Sequence, residues 1–554
     1  MSMRDPGVKQ GMSSIRAWVF RAPRRWVRVA RALGHDVPFL LVRHPRLALV
    51  IARSDPKDPA MLPLVDRALR VRRAPGLLRR RARILGAAGE LTAARGAWEE
   101  LGDLGDDTDR RQARMIAGRL TETDPAWLPS VAGAPVQLTP ASRRRVLHIV
   151  KSSVPERWSG FTIRTLHNLR AQREAGLEPL VVTEIGWPRE AGVTEVAPVV
   201  VFDGFEHHRL DRGPEYRPSR IPNDIRLRDT AEAMTAIVRD LRPAILHAHS
   251  GYRGGEHALV ALALREQFGI PVVYEVRGLF EAVWAADAAI AERSELYARR
   301  LAQETRILRE VDGVVAISNA LADELVSRGI ARNKITVVPN GIDAAALGAP
   351  VRDPGIRAEL KLEDRFVVGY LGNLDHWREG IDVLVSALAE LRARGRGDVV
   401  LLIVGDGTRR AAIEAHARHL GVGDGCRFTG RVPHESVGQY YAQMDLFANP
   451  RVDERAARYI TPLKPFEAMA LGIPVLVSDL PALREIVDPP RRGATSPPGD
   501  PRLLATAIER LIDDPELRLR LGIAGREWVR AERTWAANGP RYRAAYEAIV
   551  GPID

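Results

Sequence analysis

Lys464 and Glu467 stand at the start of a predicted helix that follows a loop and precedes a buried strand. Proline is tolerated at a first helical position but not in a helix interior, so the helix is predicted to begin near Pro465 and to end at Gly472. A helix N-terminus attracts anions, a lysine adds a full positive charge, and a carboxylate accepts hydrogen bonds from sugar hydroxyls. Phosphate and ribose together indicate a nucleotide, so this pair predicts a nucleotide-binding corner.

A second interpretation of the pair needs no ligand. Glu467 could only complement the dipole of its own helix, and Lys464 could be a solvated surface charge. Both interpretations are open on these two residues alone, and the neighbouring stretches favour the nucleotide.

Size and composition limit the number of domains and the cellular location that the chain can have. The chain of 554 residues is too long for one hydrophobic core and is predicted to form three units, and its 45% hydrophobic content is typical of soluble globular proteins. Cys426 is the single cysteine, which excludes a disulfide framework within one chain and fits a reducing cytosol. The longest apolar run, residues 37–52, is short and contains charged residues, so no membrane-spanning helix is predicted and a cytoplasmic location is expected.

Positive charge is concentrated in residues 1–145, which hold 28 lysines and arginines against 14 acidic residues, whereas the whole chain carries +12. Residues 1–35 alternate arginines with tryptophans and aliphatic residues, a pattern that fits either an anionic membrane surface or a packed helix with a solvated basic face. No nucleic-acid reading motif is present, so specific nucleic-acid binding is not expected. We expect this basic module to hold the chain near anionic lipid head groups.

The order of predicted elements indicates the domain organisation. Residues 89–104 are spaced like the first helix of a tetratricopeptide-type unit, and a Pro- and Ser-rich linker follows the helical region. Strands then alternate with helices, which indicates an α/β fold of two doubly wound parallel sheets with a cleft between them. The predicted segments are a basic helical accessory domain (1–120), a linker (121–142), two Rossmann-like domains (143–345 and 346–530) and a C-terminal helix that crosses back to the first of them (531–554).

Two further predictions concern the strand within residues 196–203 and the last helix. The strand predicted over residues 196–203 is expected to be parallel to its neighbours, as in the rest of the sheet. The last helix is predicted to run without a break over about residues 515–548.

Residues that could do chemistry follow several predicted strands. His247 and His249 lie on the same side of one strand, and His249 is the last residue before the loop. Ser159 and Gly160 precede a helix and let a ligand approach the backbone. A core or capping histidine is the alternative for His247, which leaves His249 as the better functional candidate.

The stretch PLKPFEAMALGIPVLVSDLPALREIV, residues 462–487, resembles the signature of GT-B-type retaining glycosyltransferases of family 4, also called group 1, which use nucleotide-sugar donors. The resemblance implies a GT-B fold for residues 143–554. In that family two glutamates stand eight positions apart, the second contacting the donor ribose and the first lying by the donor sugar. Glu467 matches the second, whereas the first falls on Tyr459, so the chain departs from the pattern there.

The same resemblance assigns roles on the first Rossmann-like domain, which it implies to be the acceptor side. His249 matches a histidine that touches the donor sugar, and Glu275 and Arg277 match a stretch whose strand ends at the cleft. A buried Glu–Arg pair that only fixes the strand end is the alternative for these two residues. The loop at Gly160 is implied to face the donor phosphates and the acceptor.

The second Rossmann-like domain is implied to hold the nucleotide sugar. The family supplies two basic residues to the donor diphosphate, and the matching positions here are Asn373 and Glu379. Arg378 is the remaining cation, so we expect Arg378 and Lys464 to share the diphosphate; a surface arginine is the alternative for Arg378. The predicted catalytic residues are His249, Arg378 and Lys464. The predicted donor-binding residues are Gly160, Glu275, Arg277, Gly372, Asn373, Gly405, Arg431, Tyr459, Thr461, Pro462, Leu463 and Glu467, of which Gly405 and Arg431 are implied to border the nucleotide base.

The resemblance implies a retaining glycosyltransferase that transfers a sugar from a nucleotide-sugar donor to a saccharide or lipid-linked acceptor, in cell-envelope or exopolysaccharide synthesis at the inner face of the plasma membrane. We expect no cofactor and no metal ion, since no Asp-x-Asp motif lies at a strand end of the catalytic part. Two other interpretations are open. One is a nucleotide-sugar epimerase of the same fold, and the other is a catalytically degenerate GT-B scaffold that serves the helical module.

Overall fold

A computed structural model describes residue 55 and residues 57–71, 73–282, 284, 288–343, 347–348 and 351–554. The basic, tryptophan-containing stretch of residues 1–35 and the apolar run 37–52 lie outside the described residues. Within the described ranges, every helix is too short or too polar to span a bilayer. The described chain forms two compact units: the residues up to Pro129 together with Arg217–Asp229 and Glu281–Gln303, and the segments Ser130–Tyr216, Thr230–Phe280 and Glu304–Asp554.

The first compact unit is helical. Its core is formed by apolar side chains that recur at helical spacing, among them Leu85, Leu91 and Trp98, and Leu296 from the segment Glu281–Gln303 packs into the same core. The Glu295 carboxylate in that segment accepts hydrogen bonds from the backbone N–H and the hydroxyl of Thr92, at 2.7 and 2.6 Å. Within the described residues before Pro129, the helices are α1 (Leu62–Val71), α2 (Pro75–Ala88), α3 (Leu91–Glu99) and α4 (Asp107–Glu122).

An eight-stranded sheet is the centre of the first lobe of the second unit. The strands are β1 (Arg145–Val150), β2 (Glu178–Thr183), β3 (Val199–Phe202), β4 (Phe205–His208), β5 (Ile245–His249), β6 (Val272–Val276), β7 (Gly313–Ala316) and β8 (Ile335–Val337), in the order β3-β4-β2-β1-β5-β6-β7-β8. The helices along this part of the chain are α5 (Gly160–Glu174), α6 (Asn223–Leu241), α7 (Glu256–Phe268), α8 (Ala288–Arg293), α9 (Glu295–Glu310) and α10 (Asn319–Ser327). Of these, α8 and the first parts of α6 and α9 belong to the first compact unit. The buried, β-branched strands are typical of a parallel sheet covered on both faces.

A six-stranded parallel sheet is the centre of the second lobe. Its strands are β9 (Phe366–Leu371), β10 (Val399–Val404), β11 (Cys426–Gly430), β12 (Leu446–Asn449), β13 (Val475–Ser478) and β14 (Ala494–Ser496), in the order β11-β10-β9-β12-β13-β14. The helices here are α11 (Pro354–Glu359), α12 (Ile381–Ala393), α13 (Arg410–His419), α14 (Val437–Tyr441), α15 (Arg455–Tyr459), α16 (Lys464–Ala470), α17 (Pro481–Val487), α18 (Pro501–Asp513) and α19 (Pro515–Glu532). Successive residues such as Val367 and Val368 belong to separate cores on the two faces of the sheet. The predicted α/β fold class is confirmed.

The last helix, α20 (Gly539–Val550), packs back on the first sheet. Its Tyr542 and Tyr546 are fully buried in a cluster with Val146, Ile245 and Val273 of the strands. The prediction of one unbroken helix over about residues 515–548 is wrong, because α19 ends at Glu532 and the chain crosses there from one lobe to the other. Thr534, in the break, forms a β-bridge with Ile342.

Two further differences concern the strands. The expectation that the strand within 196–203 is parallel is wrong, because β3 forms a tight antiparallel hairpin with β4 through Asp203 and Gly204, both at positive φ. Strands β4 and β14 were not predicted. One carries two histidines and the other has only three residues, so neither shows the apolar run on which the other predictions rest.

Gly405 allows the end of β10 to approach β9, and we predict that it tolerates no side chain. Its φ is +134°, and a Cβ there would lie 1.9 Å from the carbonyl oxygen of Gly372. We expect Gly405→Ala to cost about 3 kcal/mol or more in unfolding free energy, because the backbone must shift. The matched control is Gly395→Ala, also at positive φ (+85°) but with open space, which should cost about 1 kcal/mol. Urea unfolding of both variants checks this, and equal midpoints would contradict it.

Candidate active site

The loop ahead of α16 connects the two lobes. Asn340 donates hydrogen bonds through Nδ2 to the carbonyl oxygen and Oγ1 of Thr461, at 3.1 and 3.2 Å. A methyl group added at Gly160 would lie 3.8 Å from Cδ1 of Leu463, so the start of α5 also meets this loop. Pro462, between them, is buried. The carboxyl ends of strands from both sheets therefore meet here, where α/β proteins bind their ligands.

The helix that begins with Lys464 has the predicted course. It starts at Lys464, and its chain reverses at Gly472, which has a φ of +78°. Tyr441 donates a hydrogen bond of 2.8 Å from its hydroxyl to Oε2 of Glu467. Burial and the Glu467 carboxylate raise the pKa of Tyr441 well above its ordinary value, so the phenol remains a donor that fixes the orientation of Glu467.

Two arginines lie beside the carboxylate of Glu379, and Lys464 acts on it electrostatically. Arg451 contacts both of its oxygens, with Nη2 2.8 Å from Oε1 and Nε 3.2 Å from Oε2, and Arg378 Nε lies 3.9 Å from Oε1. Burial opposes ionisation of Glu379, but Arg451, with Lys464 and Arg378, holds the pKa of this carboxyl below its ordinary value. Arg378 thus lies beside Glu379, and Lys464 acts on the same carboxylate; that the two cations share the donor diphosphate stays a prediction.

Arg451 was missed by the sequence analysis. It follows β12, which is hydrogen-bonded to β9, so its side chain reaches the loop that carries Glu379. Its Nη1 also donates to the carbonyl oxygen of Ile460 at 2.9 Å, and Ile460 belongs to the loop ahead of α16. An arginine directly after the strand predicted over residues 445–450 was the available signal, since strands adjacent in the sheet end at the same edge.

Arg378 is not a solvated surface arginine, which was the alternative left open by the sequence. Only 25% of its side chain is exposed, and burial together with Arg451 lowers its pKa from the ordinary value. By contrast, Asn373 and Arg431 are exposed. Oδ1 of Asn373 accepts a hydrogen bond of 2.6 Å from the backbone N–H of Asp375, so this side chain shapes its own turn.

Gly372 and Gly405 lie at the same strand edge as the cations. Gly372 donates its N–H to the carbonyl oxygen of Val404 at 2.9 Å, and Gly405 donates to that of Gly430 at 3.0 Å. The ends of β9, β10 and β11 are thereby joined into a continuous backbone surface. Small residues at these three ends let a ligand approach the main chain closely.

Tyr459 contacts the first lobe. It is the last residue of α15, and its phenol is hydrogen-bonded to Glu324 on α10. Its carbonyl oxygen accepts a hydrogen bond of 3.2 Å from Ser318 Oγ, and Arg455 pairs with the same Glu324. The tyrosine therefore joins the two lobes, and its contact with the donor sugar stays a prediction.

On the first lobe, Glu275 is fully enclosed by protein groups. Its side chain has no exposed surface, and its oxygens accept hydrogen bonds from Arg164 Nε at 2.9 Å, Arg277 Nε at 2.6 Å and Tyr542 Oη at 2.7 Å. Burial opposes ionisation, yet Arg277 and Arg164 hold the pKa of Glu275 well below its ordinary value. The prediction that Glu275 binds the donor directly is corrected: it positions Arg164 and Arg277, which is the alternative the sequence left open.

Arg277 is also turned inward. Its Nη1 donates to the carbonyl oxygen of Phe161 at 3.1 Å and to Oγ1 of Thr165 at 2.8 Å, both in the first turns of α5. Burial lowers the pKa of this guanidinium from its ordinary value. Arg277 therefore fixes α5 against the end of β6, and only 6% of the residue remains exposed to a ligand.

His249 belongs to a buried cluster of three histidines. Nδ1 of His148 lies 2.9 Å from Nε2 of His249, Nε2 of His148 lies 3.0 Å from Gln172, and Nδ1 of His247 lies 2.6 Å from Tyr546 Oη. The nitrogens are within 4.8 Å of one another, a spacing at which a metal ion can be held, but most of them are already hydrogen-bonded. Burial and Arg277 hold the pKa of His249 well below its ordinary value, so the ring is neutral. A sugar would meet only the exposed 4% of this side chain.

The two lobes, joined at the loop ahead of α16 and by the returning helix α20, define a GT-B fold. The structure is similar to sucrose-phosphate synthase from Thermosynechococcus elongatus, with a TM-score of 0.59 and 24% identity over 73% of this chain and 98% of that one. It is also similar to Anabaena HepE in complex with UDP, with a TM-score of 0.56 and 16% identity over 73% of this chain and 100% of that one. At these identities the likeness shows the fold.

Each lobe matches a protein-family model. Residues 158–346 match "Glycosyltransferase Family 4" and residues 365–514 match "Glycosyl transferases group 1", so the chain belongs to the group 1 glycosyltransferases. The 2-deoxystreptamine glucosyltransferase of Streptomyces kanamyceticus is 32% identical over 45% of this chain and 64% of that protein. A GDP-mannose-dependent alpha-mannosyltransferase of Mycolicibacterium smegmatis is 28% identical over 74% of this chain and 98% of that protein. The chain spans less than two thirds of the first of these relatives.

Because Glu275 is a buried structural anion, we predict that its removal affects stability before it affects ligand binding. Glu275→Gln should cost about 3 to 5 kcal/mol, since Arg164 and Arg277 would be left buried without their counter-charge. The control is Glu178→Gln, whose carboxylate is 39% exposed and lies 3.4 Å from Arg145; it should cost less than about 1 kcal/mol. Thermal unfolding checks both variants. A stable Glu275→Gln variant that no longer binds nucleotide would contradict the structural role.

Proposed function

We propose that the chain is a retaining glycosyltransferase that moves a sugar from a nucleotide-sugar donor to a saccharide or lipid-linked acceptor. The observation that carries the proposal is the convergence of Arg378, Arg451 and Lys464 on Glu379 at the carboxyl edge of the second sheet. Structural neighbours support a nucleotide donor, since HepE was crystallised with UDP and with UDP-glucose. A relative described as GDP-mannose-dependent supports the same class of donor.

The three cations would bind the donor diphosphate. Negative charge develops on the diphosphate as the glycosidic bond breaks, and preorganised positive charge stabilises it in the transition state. Glu379 and Glu454 offset two of the three charges, and Glu379 holds Arg451 by two contacts, so the Arg451 guanidinium is already oriented before a donor arrives. These side chains would supply the charge that a metal ion supplies in other transferases, which is our basis for proposing a metal-independent reaction.

Glu467 would bind the donor ribose. Its carboxylate is fixed by Tyr441 and lies in the first turn of α16, three residues after Lys464. A carboxylate that is held in this way accepts hydrogen bonds from vicinal hydroxyls without having to be ordered first. The glycine-lined ends of β9 and β10 would then take the base, with Arg431 at their margin.

For the transfer step we propose attack by an acceptor hydroxyl from the face that the diphosphate leaves. The new bond forms between the acceptor oxygen and the anomeric carbon as the bond to the diphosphate oxygen breaks, and the departing diphosphate takes the hydroxyl proton. Tyr459 stands where the family has its first glutamate, and it is bound to Glu324. A mechanism in which the leaving group itself accepts the proton needs no carboxylate at that position.

Removal of any of the three cations should slow turnover. We expect Arg378→Ala, Arg451→Ala and Lys464→Ala each to lower kcat by about 10²- to 10³-fold, the range found when one transition-state charge contact is lost. Arg394→Ala is the control, because Arg394 pairs with Glu509 on an outer helix. Release of nucleoside diphosphate from a panel of UDP- and GDP-sugars measures the effect. Full turnover in Arg378→Ala or Lys464→Ala would contradict the proposal.

The same panel distinguishes the other two interpretations. An epimerase would release free or epimerised sugar without consuming an acceptor, whereas a transferase links the sugar to one. A degenerate scaffold would show nucleotide-dependent thermal stabilisation with no product from any donor. The match of both lobes to glycosyltransferase family models favours the transferase.

We also propose that the basic N-terminal region holds the enzyme at the inner face of the plasma membrane, where a lipid-linked acceptor in cell-envelope or exopolysaccharide synthesis would be reached. The support is the charge of residues 1–145, with 28 lysines and arginines against 14 acidic residues. Lysines and arginines near an anionic leaflet contribute about 1 kcal/mol each, and salt screens this attraction.

The full chain should therefore sediment with phosphatidylglycerol vesicles at about 50 mM salt and be released at about 500 mM salt. Replacing arginines of the N-terminal stretch by glutamine should abolish sedimentation at low salt: Arg16, Arg21, Arg24, Arg25 and Arg28. The control variant replaces the same number of exposed arginines in the second lobe: Arg418, Arg484, Arg491, Arg502 and Arg520. Absent or salt-insensitive sedimentation of the unaltered chain would contradict the proposal.

A further inference from the structure

Lys151 follows β1 directly, and its ammonium group rests on three aromatic rings. Nζ lies 3.6 Å from the ring centroid of Phe161, 5.1 Å from that of Tyr252 and 5.9 Å from that of Phe280. These rings follow β1, β5 and β6, which are neighbours in the sheet. We call Lys151 with these three rings the Lys151 cage. Rings at cation–π distance stabilise the positive charge but leave the N–H groups on the open side without an acceptor.

Within the described part of the chain, Lys151 forms no ion pair and no side-chain hydrogen bond. Glu256 acts on it electrostatically, but the Glu256 carboxylate accepts hydrogen bonds from the backbone N–H of Arg253 at 2.6 Å and from its Nη1 at 3.2 Å. Burial lowers the pKa of Lys151 to about 8; Glu256 opposes the effect, and Arg277 and Arg157 add to it. A half-buried ammonium without a counter-ion is stabilised when an oxyanion binds to it.

The cage adjoins the loop that joins the lobes. Phe161 is the residue after Gly160, which meets Leu463, and its carbonyl oxygen holds Arg277. Tyr252 is 38% exposed, and its hydroxyl accepts a hydrogen bond of 3.3 Å from Arg157, so one face of a fixed ring is available for a sugar ring to stack on. The cage is thus separate from the three cations of the second lobe but close enough to the interlobe loop to present a hydroxyl to the donor.

We propose that the Lys151 cage is the subsite for an acidic acceptor: an oxyanion of the acceptor pairs with the Lys151 ammonium while its sugar ring packs on Tyr252. This rests on the proposed glycosyl transfer and adds the chemical class of the acceptor, a saccharide with a carboxylate or a phosphate. Such a pair would supply Lys151 with its counter-charge only when the acceptor is bound. The acceptor would be oriented by one charge contact and one stacking contact, the combination that fixes both its position and its plane.

Binding to the full chain saturated with UDP tests the proposal, with three probes that differ in charge. The probes are methyl glucuronide, glucose 6-phosphate and the neutral methyl glucoside, and their affinities are measured by saturation-transfer NMR titration. We expect at least one anionic probe to bind about tenfold more tightly than the neutral one, and Lys151→Met to remove the difference. Whichever anion binds identifies the carboxylate or the phosphate as the recognised group.

The control variant is Lys334→Met, which should keep the preference. Lys334 is also a partly buried lysine of the first lobe, but it precedes β8 at the opposite edge of the sheet and donates to the carbonyl oxygen of Arg309 at 2.7 Å. Equal affinity of the three probes, or an unchanged preference in Lys151→Met, would overturn the proposal. So would weaker UDP binding in Lys151→Met, since that would place Lys151 in the donor site.

UDP binding also separates a failure of the acidic-acceptor proposal from a failure of the proposed function. Tight nucleotide binding without any preference among the probes would overturn only the acidic acceptor, whereas failure of every nucleotide to bind the unaltered chain would overturn the proposed function. Methionine keeps an unbranched apolar chain against the three rings, so retained nucleotide binding also shows that the variant is folded.

A pH series with methyl glucuronide gives an independent readout. The groups that face Lys151 are Glu256, Arg277, Arg157 and the phenol of Tyr252, whose pKa burial raises, so only the lysine loses a proton between pH 7 and 10. Affinity should be constant below about pH 8 and fall about tenfold per pH unit above it. Lys151→Arg should keep its affinity through pH 9, because arginine stays charged. A flat profile for the unaltered chain would overturn the role of the ammonium.

Discussion

The buried carboxylate of Glu275 is the group on which the geometry of the first lobe depends. It lies at the end of β6 and accepts hydrogen bonds from α5 through Arg164 and from the last helix through Tyr542. Arg164 continues to the carbonyl oxygens of Val338 and Pro339 and to Oδ1 of Asn340, at 2.7 to 3.0 Å. Since Asn340 in turn holds Thr461, an unbroken series of hydrogen bonds runs from the core of the first lobe to the loop ahead of Lys464.

This arrangement explains why a charge with no exposed surface is retained. A carboxylate taken from water is destabilised by several kcal/mol, and only well-formed pairs offset that cost. Two guanidinium groups and a phenol supply them, and each comes from a different element of the chain. The second lobe repeats the device, because Glu379 orders Arg451 at the end of β12. In both lobes a buried anion fixes arginines whose positions the strands alone would not determine.

The sequence predicts those parts of the molecule that rest on local pattern. Apolar runs located most of the strands, and Pro465 and Gly472 bounded α16, because these signals depend on a few neighbouring residues. The antiparallel pairing of β3 depends on a hairpin two residues long, and β14 is too short to show a pattern. Tertiary structure decides these, so a single sequence does not reveal them.

The residues of the candidate site show the same difference between local sequence signals and tertiary contacts. Lys464 was predicted because it stands at a helix start, and Arg378 because the family resemblance points to its loop, in which it is the remaining cation. Arg451 lies 72 positions from Glu379, and nothing near either residue indicates that the two will pair. Tyr459 was assigned to the donor by its position in a motif, whereas its phenol is bound by Glu324 of the other lobe. Contacts between side chains across the sheet or across the lobes therefore cannot be predicted from one sequence.

The pairing of Arg451 with Glu379 also accounts for the departure from the family's pattern. The family places two basic residues at the positions that are Asn373 and Glu379 here, which taken alone suggests a site without its cations. Arg378, Arg451 and Lys464 act on Glu379, and Glu454 lies 3.8 Å from Arg378, so three cations and two carboxylates leave the cluster a net of one positive charge. Coulomb energy at such distances depends on the charges and their separation and not on which strand supplies them. Loss of a basic residue at one position is thus offset by an arginine from the neighbouring strand, so the changed motif does not imply a lost diphosphate site.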